Sequence, residues 1–264
     1  MNQELSLQDI KIVAFTILKH FKEFCQENDI SFYLSNGTLL GAVKYGGFIP
    51  WDDDIDVLMP RKDYDKFVKT YIDSDKYKLF TSDRNSKYKF TYAKLCDMTT
   101  LKEETNIDSG VSLGIDIDIF PLDSCSKHIL SSNVQSRLAI YQRGCILSKY
   151  ISSKGKPIHK RIVIAGCKLI GFDFFNKRLA KIVNKQMVAD GEYMGSLMWP
   201  IYGKKEIIPS EAFSDTICVE FEGEMFPAPK GYHIYLSSLY GIYENDPPIE
   251  KQKTHHSYKA YRVL

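Results

Sequence analysis

The chain begins with apolar residues at helical spacing, which predicts an amphipathic helix over residues 6–28. Ser6 can cap this helix, and Asp9 follows three residues later, near the positive end of the helix dipole. The residues expected on its buried face are Ile10, Val13, Ile17, Phe21 and Phe24.

Short apolar runs then alternate with turn signals. A strand over residues 31–35 leads into the turn Asn36-Gly37-Thr38 and into a helix that ends at Gly46-Gly47. Further along, the pattern predicts a strand over 54–59 ended by Pro60, a helix over 64–72, two or three strands within 77–104, and a strand over 113–120 closed by Pro121.

The second half of the chain is more helical and more basic. Between Lys149 and Lys185 there are ten Lys or Arg residues and one acid, Asp173. Residues 191–264 mix short strands with a helix near 231–241. We predict a mixed α/β (α+β) nucleus over 1–125, a basic helical region over 126–190, and a C-terminal portion over 191–264 packed on the nucleus.

Composition narrows the class of protein. Lys and Arg total 35 against 33 Asp and Glu, so the net charge of +2 gives no reason to expect nucleic acid as a partner. The six cysteines form no CxxC motif, which argues against a zinc ribbon or a thioredoxin-type site. The first residues lack a basic-then-apolar pattern, and we expect a cytoplasmic location with free thiols.

Two acid-bearing strands are the main candidates for chemistry. Asp54 and Asp56 would share one strand face about 6.5–7 Å apart, where they repel unless a cation such as Mg²⁺, or alternatively Mn²⁺, neutralises them. Taken alone, this cluster fits a solvated acidic loop equally well. A second strand carries Asp116 and Asp118 among isoleucines, and two such strands in one sheet would build a three- or four-carboxylate metal site.

A third candidate is the turn Ser35-Asn-Gly-Thr38 at a predicted helix start. Free N–H groups at a helix N-terminus suit a phosphate, and Gly37 would allow close approach while Thr38 adds a hydroxyl. A structural turn uses the same residue types. Beside a carboxylate metal site, however, a phosphate cradle indicates phosphoryl or nucleotidyl transfer.

Several sequence blocks resemble the LicD family. They are Gly37-Thr-Leu-Leu-Gly41, Gly47-Phe-Ile-Pro-Trp-Asp-Asp-Asp-Ile-Asp-Val57, Met59-Pro-Arg-Lys-Asp-Tyr64, Ile117-Asp-Ile-Phe-Pro-Leu-Asp123, and Tyr240-Gly241 with Pro247-Pro248 in the tail. The resemblance covers most of the chain and is weakest over 125–190. It implies a nucleotidyltransferase-like core sheet of the polymerase β type over 1–125, flanked by helices, with the C-terminal portion completing the substrate site.

The resemblance also implies roles for individual residues. Asp54 and Asp56 match the metal-binding pair of the superfamily, and Asp118 matches its third carboxylate. Asp116 stands where relatives carry an apolar residue, so its place in the site is open. Gly37 and Thr38 resemble the phosphate loop. The basic residues assigned to the donor phosphates are Lys44, Arg61 and Lys94, for each of which a structural ion pair is an equal alternative.

Weaker candidates lie outside these blocks. Trp51 could hold a quaternary ammonium through a cation–π contact, or simply pack beside a turn. His255 and His256 could contact donor or acceptor, or lie in a solvated tail. The sequence has no HExxH, P-loop, GxSxG or GxGxxG motif, so metalloprotease, P-loop kinase, hydrolase and dinucleotide-binding functions lose their usual support.

The resemblance implies an enzyme that moves phosphocholine, or a similar head group, from a CDP-linked donor such as CDP-choline to a hydroxyl of a bacterial surface glycan, releasing CMP. Teichoic acid, lipopolysaccharide and capsule are the acceptor classes, and the acceptor would be lipid-linked. The alternatives are nucleotidyl transfer with release of pyrophosphate, and a non-catalytic binding protein. The apolar residues among the charges of 149–185 suggest peripheral contact with an anionic membrane, or a solvated helical region with a buried core.

Overall fold

The computed structural model describes residues 3–199, 202–254 and 258–263. Its helices are α1 (Leu7–Glu27), α2 (Asn36–Tyr45), α3 (Arg61–Thr70), α4 (Ser132–Ser148), α5 (Ile158–Ile170), α6 (Phe172–Gln186) and α7 (Tyr232–Tyr240). Its strands are β1 (Gln3–Glu4), β2 (Tyr33–Leu34), β3 (Asp56–Pro60), β4 (Tyr77–Phe80), β5 (Ala93–Glu104), β6 (Leu113–Cys125), β7 (Tyr193–Gly195), β8 (Ile208–Pro209), β9 (Thr216–Phe221), β10 (Glu224–Pro229) and β11 (Tyr258–Arg262).

The expectation of a mixed α/β protein is confirmed. A central sheet has the strand order β1-β11-β5-β6-β3-β2, with β4 also paired to β5 and with β7 joining β6 to β8. Strands β3 and β6 are parallel, whereas the other pairs in this sheet are antiparallel. Strands β9 and β10 form a separate hairpin.

The first helix matches its sequence prediction closely. Ser6 is the N-cap of α1, its hydroxyl accepts a hydrogen bond from the Asp9 backbone N–H at 3.2 Å, and its own N–H donates to the Asp9 carboxylate at 3.0 Å. This reciprocal pair satisfies two backbone donors at the helix start. The five apolar residues expected on the inner face include Ile17 and Phe21, both fully buried.

Two predicted strand boundaries were wrong. Strand β3 begins at Asp56, so Asp54 lies in the loop before it. Strand β6 continues through Pro121 to Cys125. The pairing of β5 with β6 reaches Ile119, and Pro121 lies beside Met59 on β3. Because the ladder with β5 has already ended there, the missing N–H of proline is tolerated.

Buried apolar residues form two clusters. The larger contains the apolar side of α1 together with Ile115, Ile117 and Ile119 of β6. The smaller lies among α4, α6 and the chain around Leu197 and Ile207. In the described part of the chain, no helix is long and apolar enough to cross a bilayer. The division into 1–125, 126–190 and 191–264 stays a prediction.

Candidate active site

Three charged residues form a row across the middle of the sheet. Asp56 on β3 lies opposite Asp118 on β6, and Lys94 on β5 lies opposite Asp118 from the other side. Side chains of residues directly opposite in a sheet project from the same face. Strand pairing therefore brings Asp56, Asp118 and Lys94 together from sequence positions far apart.

The loop before β3 adds more carboxylates to this face. Asp52, Asp53 and Asp54 can each offer one oxygen within 4.8 Å of the others. The pKa of Asp56 is raised well above its ordinary value, first by burial and then by the charges of Asp54, Asp118 and Asp52. Hard oxygen ligands with excess negative charge are the donors that Mg²⁺ takes, so the residues present fit that ion.

Sequence reasoning singled out Asp54 and Asp56 but not their neighbours Asp52 and Asp53. Strand alternation was applied to residues 54–59, and that rule does not hold in the loop, where consecutive side chains can converge. Asp53 is also buried, and its carboxylate accepts a hydrogen bond from the Thr254 hydroxyl at 2.9 Å. The three consecutive aspartates at 52–54 were the sequence feature that could have identified Asp52 and Asp53 as part of this cluster.

A lysine network compensates the carboxylates on β6. The buried ammonium of Lys94 lies 2.8 Å from Asp116 and also contacts Asp118, while Lys102 lies 3.1 Å from Asp116. Burial raises the pKa of Asp118 to about 6, with Lys94 acting against that rise and Asp116 adding to it. Burial would also raise the pKa of Asp116, but Lys102 and Lys94 together bring it below its ordinary value. Asp116 is therefore a partner of two lysines.

The turn at the start of α2 packs directly on the acidic loop. The Thr38 hydroxyl accepts a hydrogen bond from the backbone N–H of Asp56 at 2.8 Å. A Cβ added to Gly37 would lie 2.7 Å from Oδ2 of Asp52. Asn36, with φ of 46°, accepts a hydrogen bond from the Tyr235 hydroxyl at 2.7 Å. These contacts join α2, the loop and α7 into one wall of the site.

An aromatic pocket of about 540 Å³ lies next to this wall. Its rings come from Tyr45, Trp51, Tyr202, Tyr240 and Tyr243. Tyr45 and Trp51 meet edge to face with centroids 6.4 Å apart, and so do Tyr202 and Tyr240 at 5.4 Å. Burial is the main cause that raises the pKa of Tyr202 and of Tyr240, and the negative charge of Asp56 is a smaller cause for both. Because Asp56 acts on both rings, the pocket borders the carboxylates.

Lys44 also lines the aromatic pocket. Its ammonium lies 2.5 Å from Asp246, which the Tyr45 hydroxyl contacts as well. Trp51 and Lys44 thus lie in one pocket. The roles expected from the sequence, a quaternary ammonium site for Trp51 and donor phosphates for Lys44, stay predictions. His255 and His256 lie outside the described residues.

Arg61 is not brought to the carboxylates. It follows β3 and is five residues from Asp56, or about 16 Å along an extended strand. Its guanidinium forms a two-pronged pair with the fully buried Asp123, with Nε–Oδ1 and Nη2–Oδ2 distances of 2.7 and 3.2 Å. The structure therefore gives Arg61 an ion-pair partner far from the site.

Lys149 is a buried cation that sequence reasoning placed on a basic surface. Its side chain is 1% exposed, and its Nζ lies 3.6 Å from the centroid of the Phe90 ring and 5.0 Å from that of Trp199. Burial lowers the pKa of Lys149 to about 7. Nothing in the local sequence distinguishes it from the exposed lysines that follow, since its burial depends on where α4 ends.

Comparison with known proteins now gives the family. Residues 29–144 match the family model described as LicD/FKTN/FKRP, nucleotidyltransferase domain. The chain is 32% identical over 268 residues to the lipopolysaccharide cholinephosphotransferase LicD of Haemophilus influenzae, covering 98% of this chain and 99% of that protein. It is also 29% identical over 133 residues to mannosyltransferase regulator 4 of Saccharomyces cerevisiae, covering 47% of this chain and 11% of that protein. With similarity along nearly its whole length, the chain belongs to the LicD family.

Proposed function

We propose that this protein transfers phosphocholine, or a similar phosphorylated head group, from a CDP-linked donor to a hydroxyl of a bacterial surface glycan precursor, with release of CMP. A relative similar over its full length is named a lipopolysaccharide cholinephosphotransferase, which supports this choice of reaction. The donor, the metal ion and a cytoplasmic location are parts of the proposal.

The observation that carries the proposal is the cluster of carboxylates around Asp56. Asp54, Asp56 and Asp118 would hold Mg²⁺, with Asp52 close enough to raise the pKa of Asp56 further. Bound there, the ion would neutralise the diphosphate of the donor and the charge that develops on departing CMP. Mn²⁺ would serve the same ligands.

The chain's own residues would orient the acceptor and manage its proton. Asp118 would accept the proton of the attacking hydroxyl, and Lys94, already in contact with Asp118, would fix the position of that carboxylate. The acceptor oxygen bonds to the head-group phosphorus as the bond from that phosphorus to the bridging oxygen breaks. CMP departs with the electron pair.

The aromatic pocket would bind the cationic head group. Trp51 and the tyrosines offer ring faces for a quaternary ammonium. Trp51→Leu should raise KM for CDP-choline about tenfold, while Trp51→Phe should raise it less because a ring face remains. A primary-amine analogue, CDP-ethanolamine, should respond less to both changes.

The deciding experiment follows the nucleotide product. Purified protein is incubated with CDP-choline, Mg²⁺ and a lipopolysaccharide or teichoic acid precursor, and nucleotides are separated by chromatography. Acceptor-dependent CMP is expected. Pyrophosphate from CTP, with no CMP from CDP-choline, would overturn the proposal in favour of nucleotidyl transfer.

Variants of the carboxylates sharpen this test. Asp54→Asn and Asp118→Asn should each lower turnover about 10³-fold or more, because a lost ligand weakens a clamp worth several kcal/mol. Asp75→Asn is the matched control, since Asp75 is an exposed aspartate in the loop between α3 and β4. Near wild-type turnover in either site variant would disprove the role of that carboxylate.

A further inference from the structure

Helix α5 exposes an apolar stripe to solvent. Ile158, Ile162 and Leu169 are 67%, 66% and 90% exposed, whereas Ile164 is 3% exposed. At about 100° per residue, the three exposed residues fall within a narrow arc of about 40°, and Ile164 points to the other side. The stripe therefore faces away from the protein.

Other exposed apolar residues lie on α5 and in the chain beside it. Val163 and Ile170 of α5 are 52% and 53% exposed, Ile151 before the helix is 50% exposed, and Phe174 at the start of α6 is 43% exposed. The neighbouring Phe172 is buried in the smaller core cluster. We call the exposed set the α5 surface: Ile151, Ile158, Ile162, Val163, Leu169, Ile170 and Phe174.

The charge around the α5 surface is mainly positive. From residue 124 to residue 172 the sequence contains no Asp or Glu. Exposed lysine and arginine residues lie on α5 and in the segment before it, namely Lys154, Lys156, Lys160, Arg161 and Lys168; on the helix, Arg161 and Lys168 lie closest to the stripe. Lys149 is excluded from this set because it is buried. Two acids lie nearby: Asp173, beside Phe174, and Asp108, which lines a cavity with Ile170. The cations outnumber them, and exposed apolar residues with an excess of cations match the interfacial region of an anionic bilayer.

From these features we infer that helix α5 binds an anionic membrane surface, lying flat with its stripe in the headgroup region. With 13 residues, α5 is about 20 Å long, which is short of the roughly 30 Å hydrocarbon core. An in-plane orientation places the stripe in the bilayer boundary and the flanking cations on lipid headgroups.

The α5 surface also borders a cavity. This cavity of about 560 Å³ is lined by Ile151 and Lys168 on the α5 side and by Lys102 on the sheet side. Lys102 in turn contacts Asp116. Membrane binding at α5 does not depend on the proposed transfer.

Vesicle flotation tests the inference on the whole chain. Wild-type protein should float with vesicles of phosphatidylcholine and phosphatidylglycerol at low salt, and binding should weaken with added salt or with phosphatidylcholine alone. Leu169→Glu and Ile162→Glu should each weaken binding about tenfold, because each puts a charge into the stripe. Arg161→Glu with Lys168→Glu, two exposed cations beside the stripe, should have a similar effect on anionic vesicles.

Matched controls come from outside the α5 surface. Ile72→Glu changes an isoleucine that is 84% exposed, and Lys62→Glu changes an exposed lysine of α3, so both should float like wild type. Circular dichroism confirms that every variant is folded. Wild-type protein that fails to float at low salt, or Leu169→Glu that floats equally well, would overturn the inference. So would a wild-type dimer that Leu169→Glu converts to a monomer without any flotation.

Discussion

The hydroxyl of Thr38 accepts a hydrogen bond at 2.8 Å from the backbone N–H of Asp56. Thr38 lies in the first turn of α2, and Asp56 is the first residue of β3. Both residues are buried. This bond fixes the helix start to the strand that positions the central carboxylate, so Thr38 supports the site whether or not it also touches a phosphate.

Thr38→Val should destabilise the protein by about 1–3 kcal/mol, because the buried N–H of Asp56 loses its acceptor while the side-chain shape is retained. Turnover should fall as well, since Asp56 would no longer be fixed. Urea unfolding measures the first effect and CMP release the second.

Thr38→Ser is the control for that change. It keeps the hydroxyl and should retain most of the stability and turnover. If Thr38→Val loses turnover with no loss of stability, the hydroxyl acts mainly on substrate, as the phosphate-loop interpretation of the sequence predicts.

Gly37→Ala should displace the acidic loop. The new Cβ would lie 2.7 Å from Oδ2 of Asp52, closer than such contacts normally come, so the Asp52 carboxylate must move. We expect weaker Mg²⁺ binding, by about tenfold, measured by titration calorimetry. Gly166→Ala is the control, because a Cβ at Gly166 of α5 meets nothing within 4 Å. Equal Mg²⁺ affinity in Gly37→Ala and wild type would show that Asp52 does not shape the site.

The sequence predicted the acid-bearing strand β6 because its signal is local. The alternation of isoleucine and aspartate in 113–120 is enough to assign a strand with one acidic face, and β6 has it. The motif blocks then identified the family. Neither argument required knowledge of how distant parts of the chain pack.

The ion-pair partners of the charged residues could not be predicted, because they depend on how distant parts of the chain pack. Lys94 meets Asp116 and Asp118 only because β5 pairs with β6, and Arg61 meets Asp123 only because α3 follows β3 beside the end of β6. A lysine in a sequence looks the same whether it is solvated, paired or buried. The aromatic pocket likewise joins Trp51 to Tyr240, which are far apart in the chain.

Asp56→Asn should make the metal-free protein more stable at pH 7. The raised pKa of Asp56 means that the folded state holds its proton more tightly than the unfolded chain does. Ionisation of Asp56 therefore costs stability as pH rises from about 4 through the folded pKa. Below about pH 4, where Asp56 is protonated in both states, Asp56→Asn and wild type should therefore have similar free energies of unfolding. Urea unfolding across pH measures this difference.

Added Mg²⁺ should make wild-type protein more stable than Asp56→Asn at pH 7. Wild-type protein should gain stability from the ion, whereas Asp56→Asn should gain much less, because only the wild type supplies the full ligand set. Asp75→Asn should behave as wild type throughout. A metal-free Asp56→Asn protein that is less stable than wild type at pH 7 would contradict the electrostatic account.

Arg61→Met should cost about 3–5 kcal/mol, since it leaves the carboxylate of Asp123 buried without its cation. Arg61→Lys should fall in between, because an ammonium cannot make both contacts of the guanidinium. Urea unfolding gives the cost, and KM for CDP-choline gives a second readout. A large rise in KM for Arg61→Lys without loss of stability would restore the phosphate-binding role that the sequence suggested.

Lys149→Met should flatten the dependence of stability on pH. In the wild type, burial lowers the pKa of Lys149 to about 7, whereas the unfolded chain keeps its proton up to about pH 10.4. Between those values the unfolded state binds more protons, so the free energy of unfolding should rise with pH by up to about 1.4 kcal/mol per unit. The rings of Phe90 and Trp199 offset part of the burial cost of the charged form. Lys149→Met removes both the charge and its titration, so it should exceed wild type in stability near pH 6 and lose that advantage toward pH 10.

Lys154→Met, which changes an exposed lysine nearby, should leave the pH profile as it is. Urea unfolding over this range decides the matter, and a wild-type profile in Lys149→Met would mean that Lys149 titrates as an ordinary surface lysine.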